Sequence, residues 1–141
     1  MVKRKSKYSN DWREVEIQCD GVLSDVIMWL DGGTCQLCGG TFRMGGHHII
    51  RRNEKRVRHD PNNLILLCDK CHREAHNDKD AFLEQLKEKF PRMYEWHEMN
   101  RHPDGMQFYR QYLDKVYPEL KRIQLRIRVE HEEYKERFRR I

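Results

Sequence analysis

Apolar residues in this chain come in short bursts between long polar stretches, and the spacing inside the bursts changes along the sequence. Val22, Leu23, Val26, Ile27 and Leu30 repeat at helical intervals and stop at Asp31-Gly32-Gly33, which predicts a helix ended by glycine. A turn-rich stretch follows around Gly39, Gly40, Gly45 and Gly46, where Thr41 to Met44 and His47 to Ile50 suit a hairpin or short strands. Leu64 to Leu67 is a third short apolar run, reached through a polar loop from 51 to 63 that contains the turn signal Asp60-Pro61-Asn62-Asn63. From Asp69 the stretch CDKCHREAHN reads as helix. Ala81, Phe82, Leu83, Leu86 and Phe90 continue a helical pattern that passes Pro91, resumes with Met93, Tyr94 and Trp96, and breaks at His102-Pro103-Asp104-Gly105. Helix is expected again from about Met106. Pro118 reads as a first-turn residue, with Leu120, Ile123, Ile127, Tyr134 and Phe138 as one stripe of the charged helix beyond it. That stripe suits a face resting on the domain, with a dimer seam or a helix laid along nucleic acid as the alternatives.

The pattern divides the chain into a lead-in with one helix (1–33), a Cys/His module (34–78) and a C-terminal helical extension (79–141), an α+β organisation. At 141 residues this is about one domain, and 38% hydrophobic against 36% charged residues leaves a thin core that a metal would help to hold. The net charge of +5 permits a polyanionic partner without demanding one. Distribution says more: Lys3, Arg4, Lys5 and Lys7 form a basic head, while Arg51, Arg52, Lys55, Arg56 and Arg58 crowd the polar loop and are candidates for binding nucleic acid. No apolar stretch has signal-peptide length, and none approaches the roughly 18 residues of a membrane span, so a cytoplasmic protein is expected.

Five cysteines, four of them in paired C-x2-C knuckles, favour metal over disulfides. Cys35 and Cys38 are separated from Cys68 and Cys71 by 29 intervening residues, and four thiolates in tetrahedral array suit a closed structural Zn²⁺ site. Cys19 is left over as a small buried or half-exposed thiol. His72 and His76, four apart, share a helix face and can offer two imidazole nitrogens to one ion, with His47 as third ligand. Because neighbours on a strand point to opposite sides, His47 and His48 are expected to do different work.

These motifs resemble the HNH endonuclease family, in its zinc-stapled branch with a ββα-metal (His-Me finger) active site. The resemblance runs from Cys35 to His76. It implies His47 as a metal ligand, His48 of GHHII as general base, Asn63 as the residue bracing the loop, His72 as the last motif histidine and a ligand, and His76 as a further ligand one turn on. His76 has a surface helix residue as its rival reading, and Asn62 competes with Asn63. His59, His97, His102 and His131 fall outside the motif and read as ordinary surface or partly packed histidines.

The implied activity is metal-dependent hydrolysis of DNA phosphodiester bonds, by nicking or double-strand cleavage. A Mg²⁺, Mn²⁺, Ni²⁺ or Zn²⁺ ion would act as Lewis acid, and Arg51 and Arg52 would grip the backbone. Where the family often carries Pro two residues after the base, this chain has Ile50. The family's habits further suggest a phage or mobile-element setting, host cytoplasm as location, packaging or recombination proteins as partners, and a homodimer through the C-terminal helix. Two alternatives use the same residues: a non-catalytic zinc-dependent nucleic-acid-binding module, and a nuclease on RNA or branched DNA.

Overall fold

The computed structural model describes residues 12–102, 106 and 108–141, so the basic head at Lys3, Arg4, Lys5 and Lys7 lies outside the described residues. Helix α1 (Trp12–Leu30) leads into strand β1 (Gly45–His48), a single 3-10 turn (Pro61–Asn63) and strand β2 (Leu64–Leu67). Helices α2 (Asp69–Asn77), α3 (Lys79–Lys89), α4 (Pro91–Asn100), α5 (Tyr109–Arg126) and α6 (His131–Arg137) complete the order. The result is α+β, with helices packed around a two-stranded sheet. No helix among the described residues is long and apolar enough to cross a membrane.

Helix α1 stops for a local reason. Gly32 and Gly33 both take positive φ, of 68° and 72°, a conformation that costs glycine little. Gly33 N–H then reaches the Met28 carbonyl at 3.0 Å and Gly32 N–H the Trp29 carbonyl at 3.3 Å, the paired bonds of a Schellman ending. The turn delivers Asp31 to the sheet, where its buried carboxylate accepts the Leu66 N–H at 2.9 Å.

The sheet is antiparallel, with His47 opposite Ile65 and His48 opposite Leu64. All four residues of β2 are buried, and their alternation separates two cores. Leu64 and Leu66 pack with α1, Leu113, Leu120, Ile123, Ile127, Tyr134 and Phe138. Ile65 and Leu67 pack with Cys35, Cys68, Cys71, Ala75, Phe82, Leu86 and Met93. The three segments of the sequence therefore share cores through one strand.

Several expectations change. Thr41 to Met44 forms no strand, because Arg43 sits at φ 50° and breaks the extended path just before β1. Pro118 lies inside α5 rather than opening a new helix; its missing N–H removes one backbone bond while flanking turns continue. The charged helix also ends at Arg126 and restarts at His131. The proposed dimer seam is corrected too: Leu120, Ile123, Ile127, Tyr134 and Phe138 are all buried against α1 and β2 of the same chain, so this stripe has no free face for a second copy.

The last turn of the chain closes the sheet. Arg140 Nε donates to Asp31 Oδ1 at 2.9 Å, and its guanidinium also reaches the carbonyls of Pro61, Leu64 and Phe138. Both side chains are essentially removed from water, at 2% and 0% exposure. Arg140→Ala leaves the Asp31 carboxylate buried without its countercharge, which should cost about 3–5 kcal/mol. Urea unfolding of the variant is expected to give an unfolding free energy lowered by that amount, whereas Ile141→Ala, at an exposed position, should match wild type within error.

Candidate active site

Four sulfurs meet at the base of α2. One sulfur from each of Cys35, Cys38, Cys68 and Cys71 lies within 4.8 Å of the others, and Cys38 Sγ is 3.6 Å from Cys68 Sγ. Backbone N–H groups point at the sulfurs: Cys38 N to Cys35 Sγ, Gly40 N to Cys38 Sγ and Cys71 N to Cys68 Sγ, at 3.5, 3.3 and 3.4 Å. Cys68 thereby serves as N-cap of α2, a role that a sulfur bearing negative charge fills best. Burial pushes the Cys35 thiol up, but backbone N–H donors more than offset it and bring it to about 7. Burial and the neighbouring thiols raise Cys71. Four thiols this close cannot all ionise unaided, and a Zn²⁺ ion resolves that conflict, so the donor set fits structural zinc.

Three imidazoles converge along α2, in a cleft that its buried Ala75 also lines. One ring nitrogen from each of His47, His72 and His76 lies within 4.8 Å of the others. The ring centroids of His47 are 5.0 Å from His72 and 4.9 Å from His76. Phe82 of α3 packs edge-on against His47 and fixes its ring. Burial, followed by the charges of His72 and His76, lowers the His47 pKa to about 3, and burial with His76 also lowers His72. His47 Nδ1 is buried without a hydrogen-bond partner, which proteins rarely tolerate. Three crowded ring nitrogens, together with an unpaired Nδ1 on His47, fit a divalent ion.

His48 points the other way. Its Nε2 lies 3.0 Å from the Arg58 carbonyl oxygen, which can only accept, so Nε2 carries the proton and Nδ1 keeps its lone pair. Burial, opposed by that hydrogen bond and reinforced by the charges of Arg52 and Arg58, lowers the His48 pKa to about 4. Asn63 is fully buried and spans the loop beneath it. Its Oδ1 accepts the Ile50 N–H at 2.7 Å, and its Nδ2 donates to the carbonyls of Ile50 and Val57 at 3.0 and 3.2 Å. Asn62 instead bonds Asp60 and receives a contact from Arg139, away from the loop's interior.

His47, His48, His72 and His76 line one open cleft of about 610 Å³ with Arg51, Arg52, Asn53, Lys79 and Phe82. The five loop cations separate. Arg51 and Arg52 are exposed at the cleft, whereas Lys55 pairs with Glu16, Arg56 bonds Asn100 and the His102 carbonyl, and Arg58 is buried against Asp20 and Glu16. The latter three hold the loop to α1 and α4, and of the five only Arg51 and Arg52 line the cleft. Lys79 replaces some of that charge; it lies beyond the motif, and only the reversal between α2 and α3 brings it to the cleft. His59 is buried, with Nε2 2.8 Å from Asp20 Oδ1, and His97 is buried as well, so both are more deeply packed than the surface or partly packed histidines expected at these positions.

A short antiparallel strand pair followed by a helix, with ligands on the first strand and the helix, is the layout of a ββα-metal module. Residues 35–78 match the family model described as HNH endonuclease, and this segment is recognised as an HNH domain, the type found in nucleases. The match covers less than a third of the chain and leaves the flanks unassigned. No curated protein and no solved structure matches the chain.

The two ligand sets should separate on substitution. Cys35→Ser is expected to lose tightly held zinc, measured by elemental analysis after dialysis, together with a lower melting temperature. His76→Ala should keep that zinc. Equal loss from both variants would show that one ion is shared between sites assigned here as independent.

Proposed function

We propose that the protein is a metal-dependent endonuclease that hydrolyses phosphodiester bonds in DNA. The observation that carries this reading is His48, whose Nε2 is engaged by the Arg58 carbonyl so that Nδ1 keeps its lone pair, lining the same cleft as three histidines able to hold one ion. His47, His72 and His76 would hold a divalent ion, which would supply Lewis-acid chemistry at the scissile phosphate.

The remaining work falls to the chain's own residues. His48 Nδ1 takes a proton from the attacking water, and its neutrality near pH 7 keeps the base available. The Arg58 carbonyl holds the ring in the one tautomer that leaves Nδ1 free, and it stabilises the Nε2–H while Nδ1 becomes protonated. Asn63 contributes by geometry, since three hydrogen bonds from a buried amide fix both ends of the loop that carries Arg51, Arg52 and the Arg58 carbonyl. Arg51, Arg52 and Lys79 line the cleft with no ion-pair partner among the described residues, and they meet the phosphates flanking the scissile one. Zinc on the four cysteines holds the first knuckle to the start of α2 and takes no part in the chemistry.

Supercoiled plasmid incubated with Mg²⁺, Mn²⁺ or Ni²⁺ should be nicked, and EDTA should stop the reaction. His48→Ala is expected to lose at least about 100-fold in rate with little change in DNA affinity. A variant that nicks like wild type, or a wild type without metal-dependent nicking, contradicts the assignment.

The two exposed arginines make a separate prediction. Replacing both Arg51 and Arg52 with Ala should weaken binding across all DNA sequences and reduce the slope of log affinity against log salt by about 2. Fluorescence anisotropy over a salt series measures both effects. An unchanged slope means that neither side chain meets phosphate.

A further inference from the structure

The carbonyl that orients His48 belongs to the peptide joining Arg58 to His59, and both flanking side chains end on the same carboxylate. Arg58 donates from Nε to Asp20 Oδ1 at 3.2 Å and from Nη2 to Asp20 Oδ2 at 2.7 Å. His59 approaches Asp20 Oδ1 through Nε2 at 2.8 Å, and because an ionised carboxylate only accepts, that nitrogen is the donor. Arg58 is further held by Glu16, 3.5 Å from Nη1, and Glu16 in turn accepts the Tyr109 hydroxyl at 2.5 Å. Asp20 and Glu16 stand one helical turn apart on α1, outside the segment that matches the HNH family.

Displacing the backbone at residues 58–59 would carry the Arg58 carbonyl away from His48. The same displacement would pull both neighbouring side chains off Asp20, and one of them, His59, is fully buried. Burial alone disfavours charge on Asp20, but the hydrogen bonds from His59 and Arg58 outweigh it and hold the carboxyl well below the usual range. The clamp is therefore ionic and forked on one side, hydrogen-bonded on the other, and anchored on a 19-residue helix.

We propose that Asp20 is a positioning residue for the base: by gripping Arg58 and His59 together, it fixes the Arg58 carbonyl and so selects the Nε2–H tautomer of His48. This inference rests on the nuclease reading for its consequence in catalysis, though not for its structural content. Asp20 touches neither substrate nor ion. It acts through one backbone oxygen.

The test uses full-length Asp20→Asn, with Arg58→Lys as a second variant that keeps the positive charge but cannot fork onto Asp20. Ring-nitrogen NMR shifts of isotope-labelled histidine, read in mildly alkaline buffer, report the His48 tautomer directly. Wild type is expected to show Nε2–H alone, and both variants a mixture. Single-turnover cleavage at saturating protein should fall about 10- to 100-fold, while DNA affinity measured in EDTA stays within about twofold, as a displaced base predicts. Asp20→Glu should recover part of the rate.

A pure Nε2–H signal in both variants overturns the proposal, even if cleavage falls, because Asp20 would then act by another route. Wild-type cleavage rates in both variants overturn it equally. If wild type does not cut DNA at all, the nuclease reading fails, and the tautomer measurement still decides the clamp. Should Asp20→Asn melt at the assay temperature, Arg58→Lys carries the same two readouts.

Discussion

Everything in this protein depends on closing the free edge of a very small sheet. Two strands of four residues cannot hold themselves together in water, and a buried strand edge cannot keep unpaired backbone groups. Strand β1 satisfies one edge of β2. On the other, Asp31 takes the Leu66 N–H, Gln36 N–H takes the Leu66 carbonyl, and Arg140 takes the Leu64 carbonyl. Residues from the end of the first helix and the penultimate position of the chain thus do what a third strand would otherwise do. The ion pair between Asp31 and Arg140 makes those donors and acceptors a rigid unit rather than separate contacts. Removing two charges from water is costly, but here each has several hydrogen bonds in return.

Once β2 is fixed, the period of the strand assigns the chemistry. His47 lies opposite Ile65 on the face shared with α2, α3 and the four cysteines, and it meets His72 and His76. His48 lies opposite Leu64 on the face shared with α1, and it meets the Arg58 carbonyl. Two adjacent histidines thereby acquire different environments without any bend in the strand. One side is stiffened by the cysteine cluster and Phe82, the other by ion pairs to α1. Gly46 belongs to the same logic: a Cβ there would come within 3.2 Å of Leu64 Cδ2, so any side chain would require the Leu64 side chain to shift beside the histidines.

Features that depend on spacing within one element were legible in the sequence. Helical intervals placed α1, α2, α3 and α4, and the glycine pair marked the end of α1. The knuckle spacing and the i,i+4 histidines brought out both ligand clusters, because each needs only a turn or a short helix to assemble. Asn63 was distinguishable from Asn62 by its place against Leu64, and the structure puts its amide inside the loop. What could not be read was the destination of long polar side chains. Lys55, Arg56 and Arg58 look the same as Arg51 and Arg52 in a charge run, yet their partners Glu16, Asn100 and Asp20 stand 38 to 44 residues away. The apolar stripe of α5 and α6 had the same ambiguity, since periodicity shows that a face is buried but not against what.

That division explains why the flanks are more than accessories to the matched module. Within residues 35–78, local spacing assembles the ligands, but nothing in that segment supplies a countercharge to Arg58 or a donor to the Leu64 carbonyl. The first comes from α1 and the second from Arg140, so the loop that orients His48 and the strand beside it both rest on residues outside the module. A metal bound at either cluster would order the cysteines or the three histidines directly. It would exert no such control over a backbone carbonyl about 10 residues from His48 in sequence. Orientation of a ring to one tautomer needs a rigid acceptor, and a surface loop of turns becomes rigid only when its side chains are tied to regular structure. In this chain the long first helix provides that structure, with Asp20 and Glu16 on the turn that faces the loop.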